Sequence, residues 1–142
     1  MGEMSQREMI VTPLARITAT GGDVMHAIKQ CEKGYAGFGE AYFSWIESGT
    51  VKAWKRHQRM TMNLVVPVGL VRFVFQLDNH NVFRSETIGT GNYVRLTVPP
   101  GTWFGFQGLA APQSLVLNIA SIPHDPDEVE RRALAEFEFD WS

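Results

Sequence analysis

The clearest alternation of hydrophobic and polar positions lies in the middle of the chain. Every second residue from Val71 to Leu77 is apolar, and the residues between them include Arg72. Because successive side chains of a strand point to opposite faces, this pattern predicts a strand over 70–78 with one face on the core. Asn and Asp residues at 78–81 favour a tight turn, so we expect a hairpin into a second strand over 82–88.

Shorter runs of the same kind fill most of the chain between Val11 and Ile122. They are separated by Gly, Pro and Asn, and no long segment has helical periodicity. Further strands are predicted at 35–46, 51–54, 93–98, 103–107 and 114–121. With roughly eight to ten strands, this organisation is typical of an all-β sandwich or barrel.

The pattern changes after Ile122. Asp125 precedes Pro126 as an N-cap precedes a first-turn proline, and acidic residues follow where the positive end of a helix favours them. These signals predict a short C-terminal helix over about 125–135. The segment 136–141 alternates again, and we expect its three aromatic side chains to pack against an edge of the barrel.

Composition and charge narrow the class of protein. The chain has 142 residues, of which 44% are hydrophobic and 20% charged, so we expect one globular domain over 1–142 with a core over about 11–122. The net charge of −2 leaves no positive excess for nucleic acid or a membrane surface. The apolar stretches at 64–71 and 115–120 are too short to cross a bilayer. Cys31 is the only cysteine and the N-terminal residues lack the apolar core of a signal peptide, which together favour a cytoplasmic protein.

Two segments resemble the motifs of cupins, whose fold is a jelly-roll barrel or double-stranded β-helix. The stretch from Gly49 to Gly69 has the spacing of the first motif, and 99–104 is similar to the second. In metal-binding cupins these motifs supply imidazole and carboxylate ligands. Here the corresponding positions hold Lys55, His57, Met62 and Phe104. Because an ammonium group, a thioether and a phenyl ring cannot complete such a ligand set, we expect neither a metal nor another cofactor.

Within the cupins, the segments 49–58 and 121–128 resemble the RmlC-like enzymes, which comprise the dTDP-4-dehydrorhamnose 3,5-epimerases and the dTDP-sugar 3,4-ketoisomerases. The likeness covers about 22–141. It implies a homodimer that takes a small nucleotide-sugar ligand and has no nucleic-acid or membrane partner. It also implies a metal-free reaction, in which a proton beside the 4-keto group of a dTDP-4-keto-6-deoxy sugar is removed and the resulting enolate is reprotonated.

The resemblance assigns roles within the segment 52–57, which looks like a variant of the ketoisomerase segment Arg-Gly-x-His-x-His. His57 matches the second histidine and Lys52 the arginine, whereas Lys55 stands where the first histidine belongs. Such chemistry needs a base and a positive group that faces the developing oxyanion. We therefore predict that His57 acts as base or acid, that Lys55 stabilises the enolate, and that Tyr93 donates a proton. A carboxylate such as Asp140 or Glu40 is expected to orient His57.

Further residues are predicted to bind the substrate. On an extended strand Lys55, His57 and Arg59 point to one face. The candidate substrate-binding residues are Lys52, Arg59, Asn63, Arg72, Arg95 and Trp103. Two other interpretations stay open: a single histidine in a β-domain is often structural, and the loss of the first histidine suits a cupin that binds a sugar or nucleotide sugar without turnover.

Overall fold

The computed structural model describes residues 8–77 and 82–142 and is nearly all β, as predicted. Its strands are β1 (Ile10–Pro13), β2 (Arg16–Ile17), β3 (Val24–Met25), β4 (Glu40–Glu47), β5 (Val51–His57), β6 (Met62–Val68), β7 (Leu70–Leu77), β8 (Val82–Gly89), β9 (Val94–Val98), β10 (Phe104–Gly108), β11 (Gln113–Ala120) and β12 (Val129–Arg131). They form a first sheet in the order β1-β9-β6-β11-β4, a second sheet in the order β12-β5-β10-β7-β8, and the small β2-β3 pair.

The two large sheets pack face to face around the core. The first sheet contributes Leu64, Val66 and Val116, and the second contributes Phe73 and Phe75. Strands β7 and β8 pair along their whole length, which fits the predicted hairpin, although its turn at 78–81 lies outside the described residues. Part of the chain therefore forms a two-layer sandwich with an apolar interior.

The outer face of the second sheet is also covered. Trp54 and Val74, which point away from the core, pack under the aromatic side chains of the C-terminal tail. The ring centroids of Trp54 and Phe137 are 5.2 Å apart, and those of Phe139 and Trp141 are 4.9 Å apart. The tail aromatics thus pack against the sheet as expected, but on its outer face rather than at its edge.

The predicted C-terminal helix over 125–135 is wrong. The Asp125 side chain does accept a hydrogen bond from the backbone N–H of Asp127, as an N-cap would, but only the short 3₁₀ turn Pro126–Glu128 follows directly, and a second short 3₁₀ turn, Leu134–Glu136, comes after β12. The chain then enters β12, where Val129 pairs with His57 at the edge of β5. An open strand edge offers unpaired backbone donors and acceptors, and a β-branched residue suits a strand, so pairing is favoured over a longer helix.

A bulge in β5 decides which of its side chains face the interior. Phe104 of β10 pairs with Lys55, but the next residue, Gly105, pairs with Ala53, so β5 has one extra residue at this point. The bulge breaks the simple alternation of the strand. As a result Trp54 reaches the outer aromatic cluster, while Lys52 and Lys55 both remain on the inner side with His57.

Candidate active site

A cavity of about 390 Å³ lies between the two large sheets. One wall comes from β5, β7 and β10, and the opposite wall comes from β4, β6 and β11. Its apolar lining residues include Met62, Leu64, Phe73, Phe104, Phe106 and Val116, together with Ala53 and Trp54 of β5. Its polar lining residues are Tyr42, Ser44, Lys52, Lys55, His57, Asn118, Arg131 and Arg132. A largely apolar cavity with a few convergent polar groups is typical of a site for a small organic ligand.

His57 ends β5 and is held by a buried carboxylate. Its Nδ1–H donates a hydrogen bond to Glu128, which lies immediately before β12. The other oxygen of Glu128 accepts hydrogen bonds from the backbone N–H groups of Arg59 and Met60, at 2.9 and 3.0 Å. Because Nδ1 carries the proton in this arrangement, the lone pair of the neutral ring is on Nε2. Nε2 makes no hydrogen bond within the described part of the chain.

The electrostatics of the pair favour a neutral imidazole beside an ionised carboxylate. Burial lowers the pKa of His57, and the cations Lys55 and Arg131 lower it further, which outweighs the opposite effect of Glu128. Burial raises the pKa of Glu128, but its hydrogen bonds with His57 and with the two backbone amides outweigh this, so its pKa is lowered. A neutral imidazole whose other nitrogen is held by a carboxylate can act as a general base.

Positive side chains lie beside His57 on the same wall. Burial lowers the pKa of Lys55, and the neighbouring cations Arg131 and Lys52 lower it further. Among residues 8–77 and 82–142, none of these three side chains forms a salt bridge, although the Nζ of Lys52 donates to the carbonyl of Trp45 at 3.3 Å. Unneutralised cations in a cavity favour an anionic ligand group or a developing negative charge.

Lys52, Lys55 and His57 are therefore brought together as the sequence suggests, but Arg59 is not. Strand β5 ends at His57, so the alternation does not continue to Arg59. Its guanidinium lies outside the cavity and forms an exposed ion pair with Asp125, with Nη2 and Oδ2 2.7 Å apart.

Two other predicted substrate-binding residues lie on the outer face of the second sheet. Arg72 donates hydrogen bonds to the Gln107 side chain at 2.6 Å and to the backbone carbonyl of Trp141 at 2.7 Å. Trp103 is buried in the outer aromatic cluster, where the guanidinium groups of Arg56 and Arg132 lie 4.8 and 5.1 Å from its ring centroid. Neither side chain reaches the cavity, because the partners of both lie on the outer face of the sheet and in the segment that follows β12.

Asn63, Arg95 and Tyr93 also lie away from the cavity, under the segment 26–34. Arg95 is fully buried and donates to the Asn63 Oδ1 at 3.1 Å and to the Glu32 carboxylate at 3.1 Å. The Tyr93 hydroxyl donates to the carbonyl of His26 at 2.7 Å. The predictions that Asn63 and Arg95 bind substrate and that Tyr93 donates a proton do not fit these positions. Their polar groups instead fasten an irregular segment to the first sheet.

Several residues of the site were not predicted from the sequence. The carboxylate that orients His57 is Glu128, whereas Asp140 accepts hydrogen bonds from Ser142. Glu128 lies within the segment 121–128 that carries the family resemblance, and this was the available signal. Tyr42 and Asn118, on the wall opposite His57, had no comparable signal because they occur singly in strands of the first sheet.

Within the described residues, no group of three or more His, Cys, Asp or Glu side chains is placed to hold a metal ion. The positions that correspond to cupin metal ligands hold Lys55, Met62 and Phe104 besides His57, a donor set that does not fit a metal. The same part of the chain contains no helix that is long and apolar enough to span a membrane.

Comparison with solved structures finds a similar protein that shares substantial sequence identity with this chain. A dTDP sugar isomerase from Desulfovibrio desulfuricans G20 is 34% identical, with a TM-score of 0.87 over 94% of this chain and 90% of that one. Two more distant structures share the fold. QdtA, a sugar 3,4-ketoisomerase from Thermoanaerobacterium thermosaccharolyticum, is 13% identical, with a TM-score of 0.74 over 87% of this chain and 88% of that one. NovW, a 4-keto-6-deoxy sugar epimerase of Streptomyces spheroides, is 11% identical, with a TM-score of 0.81 over 94% of this chain and 74% of that one.

No protein-family model matches the sequence, and no curated protein matches it either.

Proposed function

The chain belongs to the RmlC-like family of dTDP-sugar isomerases and epimerases, and we propose that it is an enzyme that isomerises or epimerises a dTDP-4-keto-6-deoxy sugar. The observation that carries this proposal is the neutral imidazole of His57, which an ionised Glu128 orients at the wall of a cavity that also holds uncompensated cations. Relatives of the same fold bind ligands of this class. A QdtA variant is in complex with TDP-4-keto-6-deoxyglucose, and the Legionella pneumophila RmlC is in complex with dTDP-4-keto-L-rhamnose.

The proposed reaction begins with removal of a proton from the carbon beside the 4-keto group. His57 Nε2 accepts that proton, and the electron pair of the broken C–H bond moves to the keto oxygen to give an enolate. Glu128 stabilises the imidazolium that forms, because its carboxylate already accepts the Nδ1–H hydrogen bond. Lys55, on the same wall, faces the developing oxyanion as a cation. Every step uses side chains of the cavity, and no metal takes part.

Protonation of the enolate carbon needs a donor, and we propose Tyr42 in place of Tyr93; the phenolate that forms regains a proton from solvent, and His57 releases its proton to solvent. Tyr42 lines the cavity from β4, on the wall opposite His57. Its hydroxyl oxygen accepts a hydrogen bond from Asn118 Nδ2 at 3.0 Å, which leaves its own O–H available to a ligand. A base and an acid on opposite walls can serve the two faces of one sugar ring, as epimerisation requires.

The diphosphate of the substrate is proposed to lie near Lys52 and Arg131. Both line the cavity, and neither has a carboxylate partner within the described ranges. Cationic side chains are the usual partners of phosphate oxygens. Arg59, Arg72, Arg95 and Trp103 have no part in this arrangement because other groups hold them elsewhere.

The test is solvent exchange. The protein is incubated with dTDP-4-keto-6-deoxyglucose in deuterated water, and the C3 and C5 protons are followed by NMR. We expect exchange in the wild type, its loss in His57→Ala, and its retention in the control Arg59→Ala, which changes an exposed neighbour. The product spectrum separates epimerisation from ketoisomerisation. Exchange that persists in His57→Ala would overturn the assignment of the base.

A second candidate function, binding of a nucleotide sugar without turnover, is favoured by Lys55, which replaces the first histidine of the ketoisomerase segment. A protonated lysine cannot serve as a second base. Under this alternative, calorimetry would detect binding of the 4-keto sugar while no proton of the sugar exchanged with solvent.

Three broader expectations remain part of the proposal: a jelly-roll connectivity, a cytoplasmic location and a homodimer. The homodimer is supported by β4, an edge strand on which Phe43 is 63% exposed and Trp45 is 52% exposed. Large exposed aromatic side chains beside an open strand edge are typical of an interaction surface. Sedimentation equilibrium of the wild type and of Phe43→Ser would test the dimer.

A further inference from the structure

Asn118 is a buried amide with an unpaired polar atom at the wall of the cavity. The residue is 3% exposed and lies on β11, in the sheet that faces His57. Its Nδ2 donates to the Tyr42 hydroxyl at 3.0 Å, whereas its Oδ1 is shielded from solvent and has no partner in the described residues. If the amide is turned over, the nitrogen becomes the unpaired atom instead. Buried polar atoms are nearly always paired, so an unpaired amide atom on a residue that lines a cavity points to a partner that enters the cavity.

Few side chains around Asn118 on this wall of the cavity can form a hydrogen bond with a ligand. Its neighbours on the same wall are Leu64, directly across from it on β6, and Val116, two residues earlier on β11. Neither can form a hydrogen bond. On this wall the polar groups of Asn118, Tyr42 and Ser44 are therefore the positions where a polar substituent of a ligand can be held.

The chemistry of the amide identifies the matching ligand group. A hydroxyl group both donates and accepts, so it satisfies the open amide atom whichever way the amide is turned. A carbonyl oxygen only accepts, and a ring methylene does neither. We propose that Asn118 determines the specificity of the sugar site by binding a ring hydroxyl of the hexose, so that the cavity discriminates against the analogue that lacks this hydroxyl. This inference rests on the proposed function, because it takes the ligand of the cavity to be a nucleotide sugar.

Tyr42 holds Asn118 in place for this role. The two residues are register partners on β4 and β11, and their hydrogen bond crosses the strand pair. A side chain fixed by its neighbour loses little additional freedom on binding, which increases the discrimination it provides. Sites that hydrogen-bond a substrate hydroxyl reject the analogue without it, because the protein group is then left buried and unpaired.

The test uses Asn118→Leu, which keeps the size of the side chain and removes the amide. Binding of three unreactive ligands is measured by calorimetry: dTDP-6-deoxyglucose and its 2-deoxy and 3-deoxy counterparts. We expect the wild type to bind the parent ligand about tenfold or more tightly than one of the deoxy ligands, and Asn118→Leu to lose that preference. We also expect a higher melting temperature for Asn118→Leu, because an unpaired buried amide has been removed. The control Val116→Leu narrows the same wall and should affect all three ligands alike.

Several results would overturn the inference. These are a preference that Asn118→Leu retains, an equal affinity of the wild type for all three ligands, or a melting temperature that falls in Asn118→Leu, which would indicate a purely structural role. Because the ligands are unreactive, the result is independent of turnover. A wild type that shows the preference but exchanges no sugar proton would contradict the proposed reaction and leave the role of Asn118 intact, whereas exchange without the preference would contradict only the role of Asn118.

Discussion

Replacement of Glu128 by glutamine removes one charge from the site and keeps the shape of the side chain. One oxygen of Glu128 accepts from the backbone N–H groups of Arg59 and Met60, and a glutamine oxygen can take over that position. The glutamine NH₂ group then faces His57 Nδ1, where the carboxylate had accepted a hydrogen bond. A donor at that place favours the tautomer with the proton on Nε2, so the nitrogen proposed as the base loses its lone pair.

The removed charge and the altered tautomer are both expected to lower the activity of Glu128→Gln. General base catalysis contributes about 10²–10⁴ in rate, and a ring held in the wrong tautomer forfeits most of it. This corresponds to about 3–5 kcal/mol of transition-state stabilisation, at about 1.4 kcal/mol for each factor of ten. Hydrogen bonds to a charged acceptor are also stronger than neutral ones by about 1 kcal/mol each. The free energy of unfolding of Glu128→Gln should therefore fall by a few kcal/mol. Part of this loss is offset, because a neutral glutamine costs less to bury than a carboxylate.

The assay is the rate of proton exchange at saturating dTDP-4-keto-6-deoxyglucose, with circular dichroism to show that the variant is folded. The matched control is Glu130→Gln, two residues away, whose carboxylate pairs with Arg56 at 2.6 Å and does not line the cavity. We expect Glu130→Gln to keep nearly full activity. A Glu128→Gln protein that is folded and retains kcat within about threefold of the wild type would refute the role of the His57–Glu128 pair.

Three further predictions follow from the electrostatics and the buried network. Lys55→Gln should lower kcat about 10²-fold and move the acid limb of the kcat/KM profile to higher pH, because Lys55 is one of the groups that lower the pKa of His57; an unmoved limb would contradict this. The pKa of His57 in the folded protein lies below its ordinary value of 6.5, so the unfolded state takes up the proton at a higher pH than the folded state does. The free energy of unfolding, measured by urea titration, should therefore fall as the pH drops below 6.5. The fall should be smaller in His57→Gln. Arg95→Met should cost about 3 kcal/mol of stability, or roughly 10 °C in melting temperature, without changing kcat/KM in the folded protein; a specific loss of substrate affinity would restore Arg95 to the site.

Much of the fold could be predicted because its signals are local. The alternation from Val71 to Leu77 depends only on neighbouring residues, and the structure places β7 there with Val71, Phe73 and Phe75 in the core. The signals at Asp125 and Pro126 are equally local, but they do not distinguish one 3₁₀ turn from a longer helix. The outcome was decided by the free edge of β5, about 70 residues earlier in the chain, which no local pattern describes.

The site could be predicted only where sequence neighbours remain neighbours in space. Lys55 and His57 lie in one strand, and the family resemblance identified them. Glu128 reaches His57 only through the pairing of β12 with β5, so spacing could not reveal it. Arg95 looked like an inward-facing binding group, but its partners come from the irregular segment 26–34, whose position has no periodic signal.

Two groups that change the pKa of His57 come from β12 and the turn before it, outside the core between the two sheets. The strand is only three residues long, and the turn before it supplies Glu128 while the strand itself supplies Arg131. Both side chains change the pKa of His57, in opposite directions. Substitutions within 125–132 can therefore adjust the basicity of the imidazole without replacing a side chain of the core between the two sheets. In evolutionary terms, changes in this short segment could adapt the base to sugars whose C–H protons differ in acidity, while the fold is kept.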